Sequence, residues 1–258
     1  MFAVNRIAPV QSSARHGRMC YRYVLLKSDL MAAAAQLKAI LAVAFDSRYN
    51  LPPGSDVPAV RVVPGGAGRE VALLHWGLVP GWAKERTAFG PKLANARAES
   101  VAEKASFRHA FRHRRCVLPA SGFYEWEARE KARLPWLFRR RDGQPLLLAG
   151  LWDSWRAPDG GVLESCTVVT TEPNELMRPI HDRMPAILAP EQCDRWLDLT
   201  EQAPDRLAWL LRPVPAEQLT AGRVSQRVNS VAHDDEACLQ APPPGGDSGE
   251  GGQFTLGL

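Results

Sequence analysis

The run Cys116-Val117-Leu118-Pro119-Ala120-Ser121-Gly122-Phe123-Tyr124-Glu125-Trp126-Glu127 decides the fold. Cys116–Leu118 is a short, wholly apolar segment of the kind that crosses a core as a buried strand. After Pro119 the chain resumes, and period-two alternation puts Phe123, Glu125 and Glu127 on one face with Tyr124 and Trp126 on the other. A carboxylate flanked this closely by aromatics is either an ordinary solvent-facing glutamate or an acid in a poorly hydrated place. In the second case its pKa rises toward values useful for proton transfer.

Outward from this run, short strand patterns recur on both sides. Tyr23–Lys27, Val57–Val63 and Val71–Val79 read as strands, the last two separated by a Pro-Gly-Gly turn at 64–66. Leu134–Arg139 and Pro145–Trp152 read as a hairpin about Arg139-Arg140-Arg141-Asp142-Gly143, with further strands at Leu163–Thr171 and Val224–Val231. Helices are predicted from Ser28 or Asp29 to Ala44, with Leu30, Leu37, Ile40 and Leu41 inward, and over Lys92–Ser100 continuing through Lys104–Phe111. Others are predicted at Glu172–Met177, Pro190–Leu197 and Asp205–Leu211. Many short strands with interspersed helices imply an α+β domain built on a curled, mostly antiparallel sheet.

The totals agree with one globular domain. The chain has 258 residues, 45% hydrophobic and 23% charged, with a net charge of +4 that is compatible with a polyanionic partner. Five scattered cysteines (Cys20, Cys116, Cys166, Cys193, Cys238) form neither a zinc pattern nor a disulfide framework, so no metal or cofactor is expected. No apolar run reaches the roughly 18–20 residues of a membrane span. Residues 1–19 read as a leader or a misassigned start, absent from the active form. Residues 20–238 read as the domain, and 239–258, containing Ala-Pro-Pro-Pro-Gly-Gly, as a disordered tail. Arginine outnumbers lysine and the leader lacks a secretory h-region, which points to a bacterial cytoplasm.

Chemistry enters at Met19-Cys20-Tyr21-Arg22-Tyr23. A cysteine exposed behind a removed Met carries an α-amine and a thiol that can attack one aldehyde in succession, closing a thiazolidine ring. The α-amine titrates about 2–3 pH units below a lysine, so far more of it is neutral and nucleophilic at neutral pH. Other segments offer supporting groups: Asn50 in a Pro-rich stretch, Trp76 and Trp82 in one loop, and His181 in a proline-bracketed loop. The run Arg108-His109-Ala110-Phe111-Arg112-His113-Arg114-Arg115 is strongly basic, either a solvated helix face or a phosphate-tracking surface.

Together these blocks resemble the SOS-response-associated peptidase (SRAP) family of abasic-site processing proteins. Met19–Tyr23 is similar to its Met-Cys-Gly-Arg-[Phe/Tyr] start, and Tyr49–Pro53 to its Tyr-Asn-x-Ala-Pro stretch. Trp76–Pro80, Asn95–Glu99, Gly122–Trp126 and His181–Pro185 match further blocks, and Val224-Ser225 with Val228-Asn229 resembles the closing one.

The resemblance implies a single domain around a β-barrel-like sheet, acting as a monomer on single-stranded DNA that contains abasic sites. It further implies that Cys20 captures the ring-opened sugar aldehyde as a thiazolidine cross-link. In that scheme Glu125 shuttles protons, His181 protonates the leaving ring oxygen and assists reversal, and Asn95 orients the Cys20 amine. Arg22 and Arg97 hold flanking phosphates, Trp76 stacks on a base, and Asn50 and Trp126 complete the DNA-binding set. The family's glycine after the cysteine is Tyr21 here, which puts the shape of the adduct in question. Two other readings stand beside it: a non-covalent single-stranded DNA binding module, and a thiol peptidase that removes its own residues 1–19.

Overall fold

The computed structural model describes residues 22–129 and 133–243. Cys20, Tyr21, the leader at 1–19 and the tail from 244 onward lie outside the described residues. The strands are β1 (Tyr23–Leu25), β2 (Ala39–Ile40), β3 (Arg48–Leu51), β4 (Asp56–Val62), β5 (Arg69–Trp76) and β6 (Asn95–Arg97). They continue as β7 (Arg115–Ala120), β8 (Gly122–Ala128), β9 (Arg133–Arg140), β10 (Leu146–Arg156), β11 (Val162–Thr171), β12 (Met184–Pro185) and β13 (Leu219–Arg223). The α-helices are α1 (Lys27–Gln36), α2 (Arg108–His113), α3 (Pro190–Leu197) and α4 (Pro204–Ala208).

Strands β5, β4, β7, β10 and β11 pair in that order, and a parallel β11–β5 contact (Ser165 with His75, Cys166 with Trp76) closes them into a barrel. The second sheet runs β13-β9-β8-β1-β3. The fold is therefore α+β around a barrel-like sheet, with parallel pairs β11–β5, β11–β6 and β2–β5 in an otherwise antiparallel arrangement.

The 116–127 run explains how one chain builds both sheets. β7 lies in the barrel and β8 in the second sheet, and Ser121 marks the bend between them. Its N–H donates to the Val24 carbonyl at 2.8 Å, and its Oγ accepts the Leu26 N–H at 2.8 Å, so the bend is tied to β1. At Gly122 a Cβ would lie 2.7 Å from the Phe138 carbonyl, so only glycine lets β9 approach there.

Val60, Leu74, Val117, Leu118, Leu148, Leu151 and Val168 are all buried, so the strands of the barrel are covered on both faces. Each such side chain contributes about 1.5–3 kcal/mol of burial free energy. Helix α3 lays Cys193, Trp196 and Leu197 onto it, and Trp196 Nε1 donates to the Cys116 carbonyl at 2.9 Å.

Five local expectations are corrected. The predicted 134–152 hairpin does not form: β9 pairs with β8 and β13, while β10 pairs with β7 and β11, so the Arg141–Gly143 turn links two sheets. The first helix stops at Gln36, because Lys38 takes φ 53° and β2 follows; Ile40 and Leu41 are 69% and 38% exposed rather than inward. Asn95–Arg97 is a strand on β11 instead of helix, the ladder outweighing the propensity of Ala and Arg. Residues 172–174 are irregular and 175–177 a turn, and 224–231 holds a 3-10 turn (Gln226–Asn229) following β13 in place of a strand. At the start of the segment expected to be a tail, the Gln240 carbonyl accepts the Ser225 N–H at 2.7 Å.

Candidate functional site

Arg22 is the first described residue, and β1 places it. Its carbonyl accepts the Tyr124 N–H at 3.0 Å, extending the β1–β8 pairing by one step. Its guanidinium donates to Asn50 Oδ1 at 2.7 Å and to the Val228 carbonyl at 2.9 Å, and stands 5.8 Å from the centre of the Trp126 ring. Burial pulls its pKa below the usual arginine value, with nearby Cys238 and Tyr124 opposing. A half-buried cation whose partners are neutral oxygens gains from an incoming anion.

Such an anion has a place to go. Arg22 and Trp126 line a cavity of about 580 Å³ together with Lys92, Arg133 and Asn229. Pro52, Pro53, Pro91 and Val231 supply its apolar walls. Among the described residues, three cations, one indole and no carboxylate make a lining suited to phosphate and base. Trp126 Nε1 donates to Asn229 Oδ1 at 2.6 Å, which fixes the ring against the wall.

A second group of candidates gathers at the β6–β11–β12 corner. β6 runs parallel to β11, with Asn95 opposite Val168 and Arg97 opposite Thr170. Asn95 is buried at 8% exposure and the Arg97 side chain is exposed. Arg183 staples the His181 loop to this corner. It binds Glu99 through two bonds of 2.7 and 2.9 Å and donates to the Thr170 carbonyl at 2.6 Å. Burial pushes the Glu99 carboxyl up, but the Arg183 bonds and charge outweigh it and leave its pKa below the ordinary value. The His181 ring is held at Nδ1 by the Arg183 N–H at 3.1 Å, with the Arg183 carbonyl at 3.2 Å and Asp182 at 3.3 Å.

A buried bridge joins the two groups. Tyr23, next to Arg22, packs its ring 5.2 Å from Trp76, whose Nε1 donates to the Ala94 carbonyl at 2.9 Å, one residue before Asn95. Gly77 follows with φ 140°, and a Cβ there would sit 2.7 Å from the Gly90 carbonyl carbon; this turn therefore needs glycine after Trp76. On the next strand, Glu125 of β8 lies opposite Trp136 and is 2% exposed.

Two expectations are corrected by burial. Trp76 is 2% exposed with its N–H satisfied, so it is a wall inside the core and presents no face to a base. Asn50 is 1% exposed; besides binding Arg22, its Nδ2 donates to the carbonyls of Val228, Ser230 and His233 at 3.2, 3.0 and 2.7 Å. It clasps the 228–233 loop with a buried side-chain amide. The exposed tryptophan of that motif is Trp82, at 58%, packed edge-on against Phe89 with centroids 5.5 Å apart. Lys92, Arg133 and Asn229 were not singled out by sequence. Asn229 falls inside a motif block, whereas Lys92 and Arg133 carry no sequence signal beyond their charge.

Residues 19–231 match the SOS response associated peptidase (SRAP) family. The chain is 38% identical over 194 residues to the abasic site processing protein YoqW of Bacillus subtilis, covering 75% of this chain and 85% of that protein. To abasic site processing protein HMCES of Xenopus tropicalis it is 32% identical over 225 residues, covering 76% and 67% respectively. A crystal structure of a protein from Bacteroides thetaiotaomicron superposes with a TM-score of 0.77 at 25% identity, covering 86% of this chain and 99% of that one. One from Bordetella bronchiseptica gives 0.69 at 29% identity, covering 80% and 100%.

Proposed function

The chain belongs to the SOS response associated peptidase (SRAP) family, and on that premise we propose that it processes abasic sites in single-stranded DNA through a covalent adduct at Cys20. The observation that carries this reading is the cavity that Arg22, Lys92 and Arg133 line with positive charge beside Trp126. Cys20 lies two residues earlier, and two residues of extended chain span at most about 7 Å. That short reach supports a reaction at Cys20 beside the cavity.

The chemistry balances without an external reagent. The Cys20 amine adds to the sugar aldehyde, and loss of one water gives an imine. The thiol then adds to the imine carbon and its proton passes to nitrogen, closing the thiazolidine. Glu125, on the strand paired with β1, moves protons during ring opening and dehydration. His181, held at Nδ1, protonates the leaving ring oxygen, and Asn95 orients the amine. Arg22, Arg97, Lys92 and Arg133 hold phosphates, while Trp126 and the exposed Trp82 take the stacking role first given to Trp76. The N-terminus must be released first, either by initiation at Met19 with removal of Met or by self-cleavage of residues 1–19. The adduct protects the lesion in a DNA damage response, and a monomer in the bacterial cytoplasm suffices for it. Among the described residues no helix is long and apolar enough to cross a membrane.

The test is intact-mass spectrometry of protein incubated with single-stranded DNA carrying one abasic site. A one-to-one adduct, lost in Cys20→Ala and in protein retaining residues 1–19, is expected. No adduct with protein verified to begin at Cys20 rejects the covalent reading. Unchanged DNA binding by Cys20→Ala in that case establishes the non-covalent module instead.

A further inference from the structure

We propose that the exposed basic face leading through α2 is a second DNA-contact surface, which grips the backbone phosphates of the strand continuing past the lesion cavity. This rests on the function proposed above and extends it to a part of the molecule that the lesion chemistry does not use.

Arg108 and Arg112 stand four residues apart on α2 and share one face. Lys104 lies in the turn that leads into the helix, its carbonyl accepting the Arg108 N–H at 2.8 Å, and all three side chains are exposed. The opposite face is anchored: Phe107, Ala110 and Phe111 are buried, with Phe111 edge-on to Trp196. The basic run of the sequence thereby divides. Arg115 is fully buried, its guanidinium consumed by the carbonyls of Phe111, Arg112, Trp196, Asp198 and Glu201, and is structural. Arg108 and Arg112 are not consumed. Among the described residues no ion pair engages Lys104, Arg108 or Arg112.

The local field is positive. His113, its ring tilted against that of His109 with centroids 5.0 Å apart, has its pKa lowered by burial and then by His109, Arg112, Arg115 and Arg114, all cationic or capable of becoming so. Arg114 is paired with Asp153 at 2.8 Å, but among the described residues Arg108 and Arg112 have no such counter-charge, and a polyanion relieves the repulsion between them.

The face is also continuous with the lesion cavity. Arg108 and His109 border a second hollow of about 470 Å³ with Ala105 and Trp82. Trp82 packs against Phe89, and Phe89 stands two residues before Pro91, a wall of the cationic cavity. A strand leaving that cavity over Pro91 meets Trp82 next and then the cations of α2.

The experiment compares two single-stranded oligonucleotides carrying a tetrahydrofuran abasic analogue, which cannot form the adduct. One just fills the cavity; the other is extended on both sides. Binding of the full chain and of Arg108→Gln/Arg112→Gln is measured across a salt series. Both substituted residues are exposed, and an unchanged melting temperature verifies the fold. The expected result is about a tenfold or greater loss of affinity for the extended strand at low salt. Its log–log salt slope shrinks by roughly 0.7 per cation removed, while the short strand binds as before. An unchanged extended strand, or equal loss on both strands, overturns the second surface and leaves the cavity reading intact. If the unaltered protein binds neither strand, the cavity reading falls and this surface with it.

Discussion

Asp234 accepts the backbone N–H of Asn50 at 2.8 Å through Oδ1, joining residues 184 positions apart. The same oxygen accepts the Tyr49 N–H at 2.5 Å, and Oδ2 pairs with Arg48. One carboxylate therefore sets the whole of β3, whose Asn50 holds Arg22. Asp234 lies just beyond the span 19–231 that the family matches. Asp234→Ala removes a charge-assisted acceptor, each such bond contributing about 1.5–3 kcal/mol. For a domain of this size that lowers the melting temperature by several degrees, at about 2–4 °C per kcal/mol. Asp234→Asn retains Oδ1 as an acceptor and recovers part of the loss. Calorimetry on the pair checks this; equal melting temperatures for Ala and wild type reject the clasp.

The two tryptophans of the Trp76–Trp82 loop separate by opposite signatures. Trp76→Phe removes one of the two donors to the Ala94 carbonyl, which keeps the Val168 N–H at 3.0 Å, and the lost hydrogen bond costs about 0.5–1.5 kcal/mol of stability. Its effect on DNA is expected to follow only from that loss. Trp82→Ala removes an exposed ring, so the melting temperature stays within about a degree while DNA affinity falls by about 1–3 kcal/mol per stacked base. Urea unfolding and DNA titration of both variants check the pair. A destabilised Trp82→Ala with full DNA affinity reverses the assignment.

What the sequence made legible follows from how local each determinant is. The 116–127 run showed its strands because apolar character and alternation are local, and α3 was readable end to end because Pro190 starts it and its apolar face repeats regularly. The 134–152 hairpin was misread because the Arg-Asp-Gly turn states where the chain bends, not which sheet receives each arm. Asn95–Arg97 looked helical because its strand state comes from pairing with β11, some 70 residues away. The site shows the same divide. Arg22 and Trp126 were found through their motifs, yet Trp76 and Trp82 are alike in composition and only tertiary packing separates the buried ring from the exposed one. Arg133 reaches the cavity solely because β9 pairs with β8.

Glu99 ties the His181 loop to pH. Its pKa is held below the ordinary 4.5, burial opposing and the Arg183 hydrogen bonds prevailing. A depressed carboxyl contributes stability that is fully present above its unfolded value and is lost as pH falls through the folded one. Glu99→Gln is therefore expected to be less stable than wild type above about pH 5, with the gap closing steadily as the medium is acidified. Because the pair is more than half exposed on the Glu99 side, the gap is small. Unfolding midpoints from pH 7 down to pH 3 provide the measurement, and a gap that widens on acidification contradicts the pairing.

Glu125 offers the sharpest separation of chemistry from binding. It sits on β8 between Tyr124 and Trp126, 2% exposed, and is not among the residues that line the cationic cavity. A group placed there contacts phosphate poorly, so its substitution leaves attraction of DNA to Arg22, Lys92 and Arg133 untouched. Proton transfer is another matter, since glutamine has the shape of glutamate but cannot carry the proton. For Glu125→Gln the rate of adduct formation is expected to fall by about 10²-fold or more, the range typical of a lost general acid–base. Affinity for single-stranded DNA bearing the unreactive analogue stays within about a factor of two, because no phosphate contact is removed. Quenched time courses read by mass, set beside equilibrium titration, give both numbers. A parallel fall in rate and affinity makes Glu125 a structural residue, and an unchanged rate assigns proton transfer to another group.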